Sequence, residues 1–309
     1  MYQFTAPPKL GIGFTYQPGL QGAIKEIQGL IDFFEVSPDV LCRERICGKE
    51  SFLDYHPTLL ADALSWFAKR PIVVHGLGLS IGSVSSWNPN YLRILETLHA
   101  QQPLVWHSEH LGFLLTTDSD GTPLNVGVQL PVPFTEEALN LIVPRARLLC
   151  ERYSMPFLLE NTTYYLQDLL ADGGRDEVEF LNDLTERSEC GLLLDLYNFY
   201  CNAINFGFDP IEALGRLKLD RVVEIHLAGG TVHDGFLMDV HSDTVPEPVW
   251  ELLDWIIPRT PNLAGIVYEL LEQALPIVGV KGIAQQLERA HESWEKHKVL
   301  GLTPNIKSA

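Results

Sequence analysis

The sequence contains few of the residues that bind nucleic acid or cross-link a small secreted domain. Its 309 residues include only 22 Lys and Arg against 40 Asp and Glu, which gives a formal net charge of −18. Binding to a phosphate backbone depends on basic side chains that displace counterions, so this balance argues against a nucleic-acid partner. The five cysteines are scattered, odd in number and form no Cys-x-x-Cys pair, which favours reduced thiols in a cytoplasmic protein.

Targeting and membrane-spanning segments are also missing from the sequence. The N-terminal residues MYQFTAPP lack the basic and apolar regions of a signal peptide. No apolar run approaches the roughly 18 residues that span a bilayer. We therefore predict a cytoplasmic protein with no membrane partner. The hydrophobic fraction of 46% nevertheless provides enough apolar mass for a large core.

Short apolar runs recur along the chain and predict eight β-strands. Most of these runs are uninterrupted hydrophobic stretches, which are typical of parallel strands buried on both faces. The predicted strands cover Leu10–Thr15, Phe33–Val36, Ile72–Leu77, Leu104–Leu111, Phe157–Asn161, Gly191–Tyr197, Val222–Ala228 and Gly265–Leu270.

Segments with apolar residues at helical spacing lie between the predicted strands. They cover Ala23–Asp32, Thr58–Ala68, Tyr91–Leu98, Thr135–Tyr153, Glu177–Thr185, Pro210–Leu217, Pro246–Ile257 and Ile283–His297. The alternation of strand and helix predicts an α/β fold, a single (β/α)8 TIM barrel over residues 1–297, with residues 298–309 as a loose C-terminal tail. An open doubly wound sheet is the alternative that the pattern leaves open.

Side chains that commonly bind metals stand repeatedly where a predicted strand ends. In a TIM barrel the carboxyl ends of all strands meet at one rim, which carries the active site. Six predicted strands end on His, Glu or Asp, and the loop after the seventh strand adds one Asp and one His. The set is His75, His110, Glu160, Asp195, His226, Asp239, His241 and Glu269.

Each of these residues carries little weight alone. A lone His after a strand is usually hydrogen-bonded in the core, and a lone Asp can cap the following helix. The whole set carries more weight than its members, because carboxylates that are buried close to one another need cations between them. Four imidazoles and four carboxylates are too many for one tetrahedral ion, so the set predicts two or three metals. The donors include no Cys and suit iron, zinc or manganese.

Longer motifs around these residues resemble those of a known enzyme family. They are Gly11-Ile12-Gly13, His75-Gly76-Leu77-Gly78-Leu79-Ser80, Ser108-Glu109-His110-Leu111, Glu160-Asn161, Asp195-Leu196-Tyr197-Asn198, His226-Leu227-Ala228-Gly229 and Asp239-x-His241. Over residues 9–275 or so, the sequence resembles the multinuclear non-heme iron-dependent oxidases, whose best-known type is the oxidase of methanobactin biosynthesis. That family lies within the xylose-isomerase-like TIM-barrel superfamily.

The resemblance implies an oxidoreductase of RiPP biosynthesis. Such an enzyme uses two or three iron ions, in a mixed-valent Fe(II)/Fe(III) state, and dioxygen to modify a ribosomally synthesised precursor peptide, commonly at Cys. By the same resemblance the first iron would be held by His75, His110 and a bridging Glu160, the second by Asp195, His226 and Glu269, and the third by Asn198, Asp239 and His241. The family often also uses a small partner protein that captures the leader of the precursor.

Departures from the family pattern concern supporting residues. Asn198 stands where the repair endonucleases of the superfamily carry His, and an amide is a weaker ligand. Thr15 and Gly230 stand where family members often carry Arg and His, so we expect different substrate contacts, for which His233 would compensate. We expect Asn161 to orient Glu160, and Asp243 to orient His241.

Three other functions remain open at this point. A zinc-dependent phosphodiesterase of the endonuclease type would need a basic surface, which the net charge disfavours. A divalent-metal sugar isomerase usually needs a Lys near the metals, and none of the strand ends carries one. A non-catalytic binding scaffold would keep the same polar side chains for structural reasons.

Overall fold

Eight parallel strands form a closed barrel in the computed structural model, which describes residues 3–47, 50–85, 87–120, 122–166 and 174–300. Each strand pairs with its neighbours in sequence, and the first strand pairs with the last, which closes the barrel and excludes the open sheet. All eight predicted strands are confirmed. They are β1 (Gly11–Tyr16), β2 (Phe33–Val36), β3 (Ile72–Gly76), β4 (Leu104–His110), β5 (Phe157–Glu160), β6 (Gly191–Asp195), β7 (Val222–Leu227) and β8 (Gly265–Tyr268).

Helices surround the barrel, and their starts follow local sequence rules. Several begin with Pro in the first turn, and others begin at a side-chain cap such as Thr135 or Asp176. They are α1 (Gln21–Ile27), α2 (Pro57–Phe67), α3 (Pro89–Gln101), α4 (Glu136–Arg152), α5 (Glu177–Ser188), α6 (Leu196–Phe206), α7 (Pro210–Leu214), α8 (Glu247–Ile256) and α9 (Leu275–Leu300). Residues 301–309 lie outside the described residues, so the boundary of the tail stays a prediction.

One helix and three hairpins were not predicted from the sequence. Helix α6 begins at Leu196, directly after β6, so the sixth strand ends two residues before the predicted Tyr197. The hairpins follow the carboxyl ends of β2, β4 and β7, and so lie on the side of the barrel mouth. They pair Cys42–Cys47 with Glu50–Tyr55, Gly112–Thr117 with Pro123–Pro131, and Thr231–His233 with Phe236–Met238.

The apolar core has two layers, and the inner layer places the polar residues at the rim. One large cluster fills the space between the strands and the helices. A second, smaller cluster lies inside the barrel around Phe33 and Trp106, whose ring centroids are 5.7 Å apart. Because the inner cluster fills the amino-terminal half of the barrel, the polar side chains stand above it at the carboxyl ends of the strands.

Two further predictions can be compared with the described residues. None of the helices in the described part of the chain is both long and apolar enough to cross a membrane. Cys42, Cys150, Cys190 and Cys201 are free thiols.

Candidate metal centre

The strand register brings the predicted ligands to one level of the barrel. His110 of β4 lies opposite Glu160 of β5, and Asp195 of β6 lies opposite His226 of β7. Asp239, His241 and Glu269 follow strands β7 and β8, and the backbone N–H of Glu269 donates to the carbonyl of Leu227 at 2.9 Å. All nine predicted ligands, including Asn198, therefore meet at the carboxyl rim. Whether they bind a metal is treated below as a proposal.

The first group contains two imidazoles and one carboxylate. The Nε2 atoms of His75 and His110 each lie 3.3 Å from Oε2 of Glu160. His75 Nδ1 lies 3.0 Å from the hydroxyl of Ser108, which itself donates to the carbonyl of Val74. That hydroxyl therefore accepts from His75, which leaves the Nε2 lone pair of the neutral ring directed at Glu160. His110 reaches the same state, because its Nδ1 donates to the Gly76 carbonyl at 2.9 Å.

The second group surrounds His226, whose side chain is completely buried. Its Nδ1 lies 3.0 Å from Glu269 Oε2, and 3.9 Å from both Asp195 Oδ2 and Glu160 Oε1. Its Nε2 lies 2.8 Å from Oε2 of Glu35. Glu160 thus faces both the first and the second group, as a bridging carboxylate would.

The third group lies on the open side of the centre. His241 Nε2 lies 2.7 Å from Asp239 Oδ1, and His241 Nδ1 lies 3.4 Å from Glu269 Oε1. His241 has a φ of 45°, a left-handed conformation that is uncommon outside glycine. The Leu271 N–H holds the carbonyl of His241 at 3.1 Å. Glu269 therefore faces both the second and the third group.

Asn198 has a buried amide oxygen beside Glu160 that makes no hydrogen bond. Its Nδ2 lies 3.1 Å from the backbone carbonyl of Asn161 and 3.4 Å from Glu160 Oε1, both of which act as acceptors. The contacting atom must therefore be the amide nitrogen, which leaves Oδ1 free of hydrogen bonds. An amide oxygen is the atom of Asn that binds metals.

Asp195 combines two roles that the sequence presented as alternatives. Its Oδ1 accepts the backbone N–H of Asn198 at 2.6 Å and caps helix α6. Its Oδ2 is buried without a hydrogen bond, and lies with His226 and Glu160 in one group and with His241 and Glu269 in another. One residue thus ends β6, starts α6 and presents a free oxygen to the centre.

Eight of the nine residues have a buried polar atom without any hydrogen-bond partner. Such orphans are rare, because desolvation without a partner costs about 1–3 kcal/mol each. The atoms are His75 Nε2, Glu160 Oε2, Asp195 Oδ2, Asn198 Oδ1, His226 Nδ1, Asp239 Oδ1, His241 Nε2 and Glu269 Oε2. Apart from Asn198 Oδ1, each of these atoms lies 2.7–3.9 Å from another member of the set, in contacts between imidazole and carboxylate. Cations bound between them would replace these contacts.

The titration of these groups reflects their crowding. Burial and the charges of Asp239 and Glu160 raise the pKa of Asp195 well above its usual range. Burial would lower the pKa of His75, but the charge of Glu160 raises it to about 9. Burial would also raise the pKa of Glu160, but the His110 and His75 imidazoles hold it at about 2. A metal bound by His75 would displace the proton of its imidazole, so that metal binding should depend on pH.

The structure corrects several expectations about supporting residues. Within the described residues, the Asn161 amide makes no hydrogen bond to the Glu160 carboxylate; it instead exchanges two hydrogen bonds with the backbone of Asp195, at 2.9 and 3.1 Å. The carboxylate of Asp243 accepts from the N–H of Thr244 at 2.7 Å and does not orient His241. His233 is 75% exposed in the last hairpin, and its expected role in substrate contacts stays a prediction.

Two residues that support the centre were missed in the sequence. Glu35 is 1% exposed, and its Oε1 lies 3.3 Å from the hydroxyl of Thr15, which we had expected to affect only substrate contacts. Both residues are polar positions within otherwise apolar barrel strands, which is the signal that would have revealed them. His107, three residues before His110, lies on the outer face of β4 with its Nε2 2.7 Å from Glu109 Oε1.

The fold and the convergent rim define a TIM barrel of the xylose-isomerase-like class. Endonuclease IV of Thermus thermophilus is a similar solved structure, with a TM-score of 0.53 at 19% identity over 94% of this chain and all of that one. This likeness concerns the fold alone. A UPF0276 protein of Caulobacter vibrioides is 32% identical over 293 residues, 94% of this chain and 96% of its own. Another UPF0276 protein, from Nitrosospira multiformis, is 29% identical over 93% of both chains.

A sequence model of the RiPP precursor modification enzymes MbnB/TglH/ChrH matches residues 9–294. The chain therefore belongs to this family. Membership identifies it with enzymes that modify ribosomally synthesised precursor peptides, and it confirms the resemblance drawn from the motifs.

Proposed function

We propose that this protein is a dioxygen-dependent oxidase that binds two or three iron ions at the carboxyl rim and modifies a precursor peptide at Cys. The observation that carries the proposal is the set of eight buried imidazole, carboxylate and amide atoms that make no well-formed hydrogen bond, seven of which lie within 2.7–3.9 Å of another member of the set. A fully hydrogen-bonded core would leave no such set. Imidazole, carboxylate and amide donors without thiolate suit iron, and also zinc or manganese; the choice of iron rests on the family resemblance.

Three shared carboxylates support a multinuclear centre over separate single-metal sites. Glu160 faces the pair His75 and His110 on one side and His226 on the other. Asp195 and Glu269 each lie between His226 and His241 in the same manner. We assign His75, His110 and Glu160 to the first ion, Asp195, His226 and Glu269 to the second, and Asn198, Asp239 and His241 to the third.

The exposure of the ligands indicates the side from which substrate enters. The side chains of His110, Asp239, His241 and Glu269 are between 12% and 20% exposed, whereas His226 and Asp195 are fully buried. A peptide side chain would therefore approach the third and first positions. Asn198, as a weak neutral ligand, would leave the third position the most easily exchanged.

Bound iron would supply open coordination positions for a substrate thiolate and dioxygen, and the electrons that reduce dioxygen. The chain's own contribution is positioning. Ser108 and the Gly76 carbonyl hold the first two imidazoles in the tautomer whose Nε2 is free to bind. The apolar layer around Trp106 closes the barrel from below, which keeps water from the buried side of the centre.

The test starts from anaerobic protein reconstituted with Fe(II). Elemental analysis and Mössbauer spectroscopy should give two or three irons per chain. On addition of oxygen and a candidate Cys-containing precursor encoded nearby, with and without any small leader-binding protein encoded beside it, we expect oxygen uptake and a change in peptide mass. Retention of stoichiometric zinc with phosphodiesterase activity, or no oxygen uptake with any neighbouring precursor, would refute the proposal.

A further inference from the structure

The three predicted imidazole ligands on the barrel strands, those of His75, His110 and His226, differ in what accepts their second ring proton. His75 donates to a hydroxyl and His110 to a backbone carbonyl, both of which are neutral. His226 alone donates to a carboxylate, that of Glu35, at 2.8 Å. Side chains that orient a metal-binding His in this way also raise its basicity, and a charged acceptor does so most strongly.

A hydrogen bond from Thr15 orients the carboxylate of Glu35 toward His226. Its Oε1 accepts from the hydroxyl of Thr15 at 3.3 Å, so that Oε2 is left for His226. Both Glu35 and His226 are at most 1% exposed, and within the described part of the chain the only ion pair of Glu35 is with His226. A buried ion pair often adds no net stability, because its desolvation offsets its attraction, so we look for the role of this pair in the orientation of His226.

A second buried glutamate, Glu224, makes no hydrogen bond to His226, although one carboxylate oxygen of Glu35, one of Glu224 and a ring nitrogen of His226 lie within 4.8 Å of one another. Glu224, two residues before His226 on β7, accepts from the indole N–H of Trp106 at 2.7 Å through Oε2. Its Oε1 has no hydrogen-bond partner, and its side chain is as deeply buried as that of Glu35. Glu224 therefore provides a matched comparison of the same residue type in the same layer.

We propose that Glu35 is a positioning residue that fixes His226 with Nε2 protonated and Nδ1 free, and that it makes the metal held by His226 the most tightly bound of the centre. This inference rests on the proposed metal centre. It assigns to Glu35 a role toward one metal position only, because Glu35 contacts none of the other predicted ligands through a hydrogen bond in the described residues.

The experiment compares Glu35→Gln and Glu35→Asp with Glu224→Gln. Gln retains the reach but not the charge, and Asp retains the charge but not the reach. Binding of Zn(II), which is redox-inert, is measured by competition with a chromophoric chelator. We expect both Glu35 variants to weaken one zinc site by about 10- to 100-fold and to leave the other sites unchanged. Glu224→Gln should change every site by less than about threefold.

A second readout separates positioning from general damage to the core. In zinc-loaded protein with ¹⁵N-labelled histidine, the Nε2–H proton of His226 should resonate far downfield in the wild type, and should move upfield in Glu35→Gln but not in Glu224→Gln. Thermal unfolding of the metal-free variants establishes that each is folded; if Glu35→Gln does not fold, Glu35→Asp carries the comparison.

The possible outcomes distinguish a failure of the proposed metal centre from a failure of the proposed role of Glu35. Wild-type protein that binds no zinc or iron would refute the metal centre, and this inference with it. Wild-type protein that binds metal while Glu35→Gln binds it equally well would overturn only the role of Glu35. Equal loss of one metal in Glu35→Gln and Glu224→Gln would also overturn it, because the two carboxylates would then be ligands themselves.

Discussion

Glu177, in the first turn of α5, is predicted to make the stability of the protein depend on pH. Its Oε2 accepts from Asn202 Nδ2 at 3.2 Å, while its Oε1 is buried without a hydrogen bond. Burial raises its pKa from 4.5 to about 8. Between these two pH values the folded protein keeps the proton and the unfolded chain loses it. The free energy of unfolding should therefore fall as pH rises through this window.

The size of the effect follows from the difference between the two pKa values. A difference of about 3.5 pH units corresponds to at most about 5 kcal/mol at pH 8 and above. Glu177→Gln keeps an acceptor for Asn202 and resembles the protonated acid, so it should remove this loss. The variant should match the wild type near pH 5 and exceed its stability by a few kcal/mol, about 2 to 5, at pH 8.

The assay is urea unfolding of metal-free protein, in the presence of a chelator, at four pH values from 5 to 8 or so. Glu251→Gln, an exposed substitution in α8, is the control and should show no pH-dependent difference from the wild type. A stability difference between Glu177→Gln and the wild type that stays constant with pH, or that shrinks as pH rises, would refute the assignment of a buried, protonated Glu177.

Three further predictions concern the centre itself. Asp195→Asn keeps the oxygen that caps α6 but loses the charge at the centre. The free energy of unfolding of the metal-free variant should therefore lie within about 1 kcal/mol of the wild-type value, while mass spectrometry should show the loss of at least one metal. An unchanged metal content would argue against Asp195 as a ligand. Because the pKa of His75 is about 9, the apparent Zn(II) affinity should rise with pH up to that value, by about tenfold per pH unit for each proton released. The affinity is measured by competition with a chelator, and an affinity that stays constant from about pH 6 upward would contradict this prediction. In Gly76→Ala the new Cβ would lie 1.9 Å from the Tyr91 hydroxyl and 2.0 Å from Glu109 Oε1, so thermal unfolding should show a loss of about 1–3 kcal/mol; Gly22→Ala, whose Cβ meets nothing within 4 Å, is the control and should not destabilise.

The barrel could be predicted from the sequence because its strands are continuous apolar runs, and such runs indicate parallel strands without any knowledge of their partners. The rim residues could be grouped because one rule, that carboxyl ends of barrel strands converge, brings distant segments together. Helix α6 was missed for a local reason. The apolar Leu196 and Tyr197 continue the pattern of β6, and the cap formed by Asp195 on the N–H of Asn198 is not visible in a hydrophobicity pattern.

The contact between Glu35 and His226 could not be predicted, because it joins residues 191 positions apart across the interior of the barrel. Strand order alone does not say which inward side chains meet there, since that depends on the stagger of the strands. The exchange of bonds between Asn161 and the Asp195 backbone was missed for a related reason. Adjacent residues on a strand point to opposite faces, so Asn161 cannot follow the side chain of Glu160.

Taken together, the contacts give the centre two unlike sides. On the buried side His226 donates to a carboxylate, and three acidic side chains surround its other nitrogen. On the open side stand Asp239 and His241, whose side chains are 17% and 14% exposed, and the backbone of His241 is held in a left-handed conformation. If the centre holds iron as proposed, the buried side favours a firmly bound, more oxidised ion, and the open side favours one that exchanges ligands. A cluster that must keep its metals while admitting a peptide thiolate needs this division, which a symmetric set of ligands would not provide.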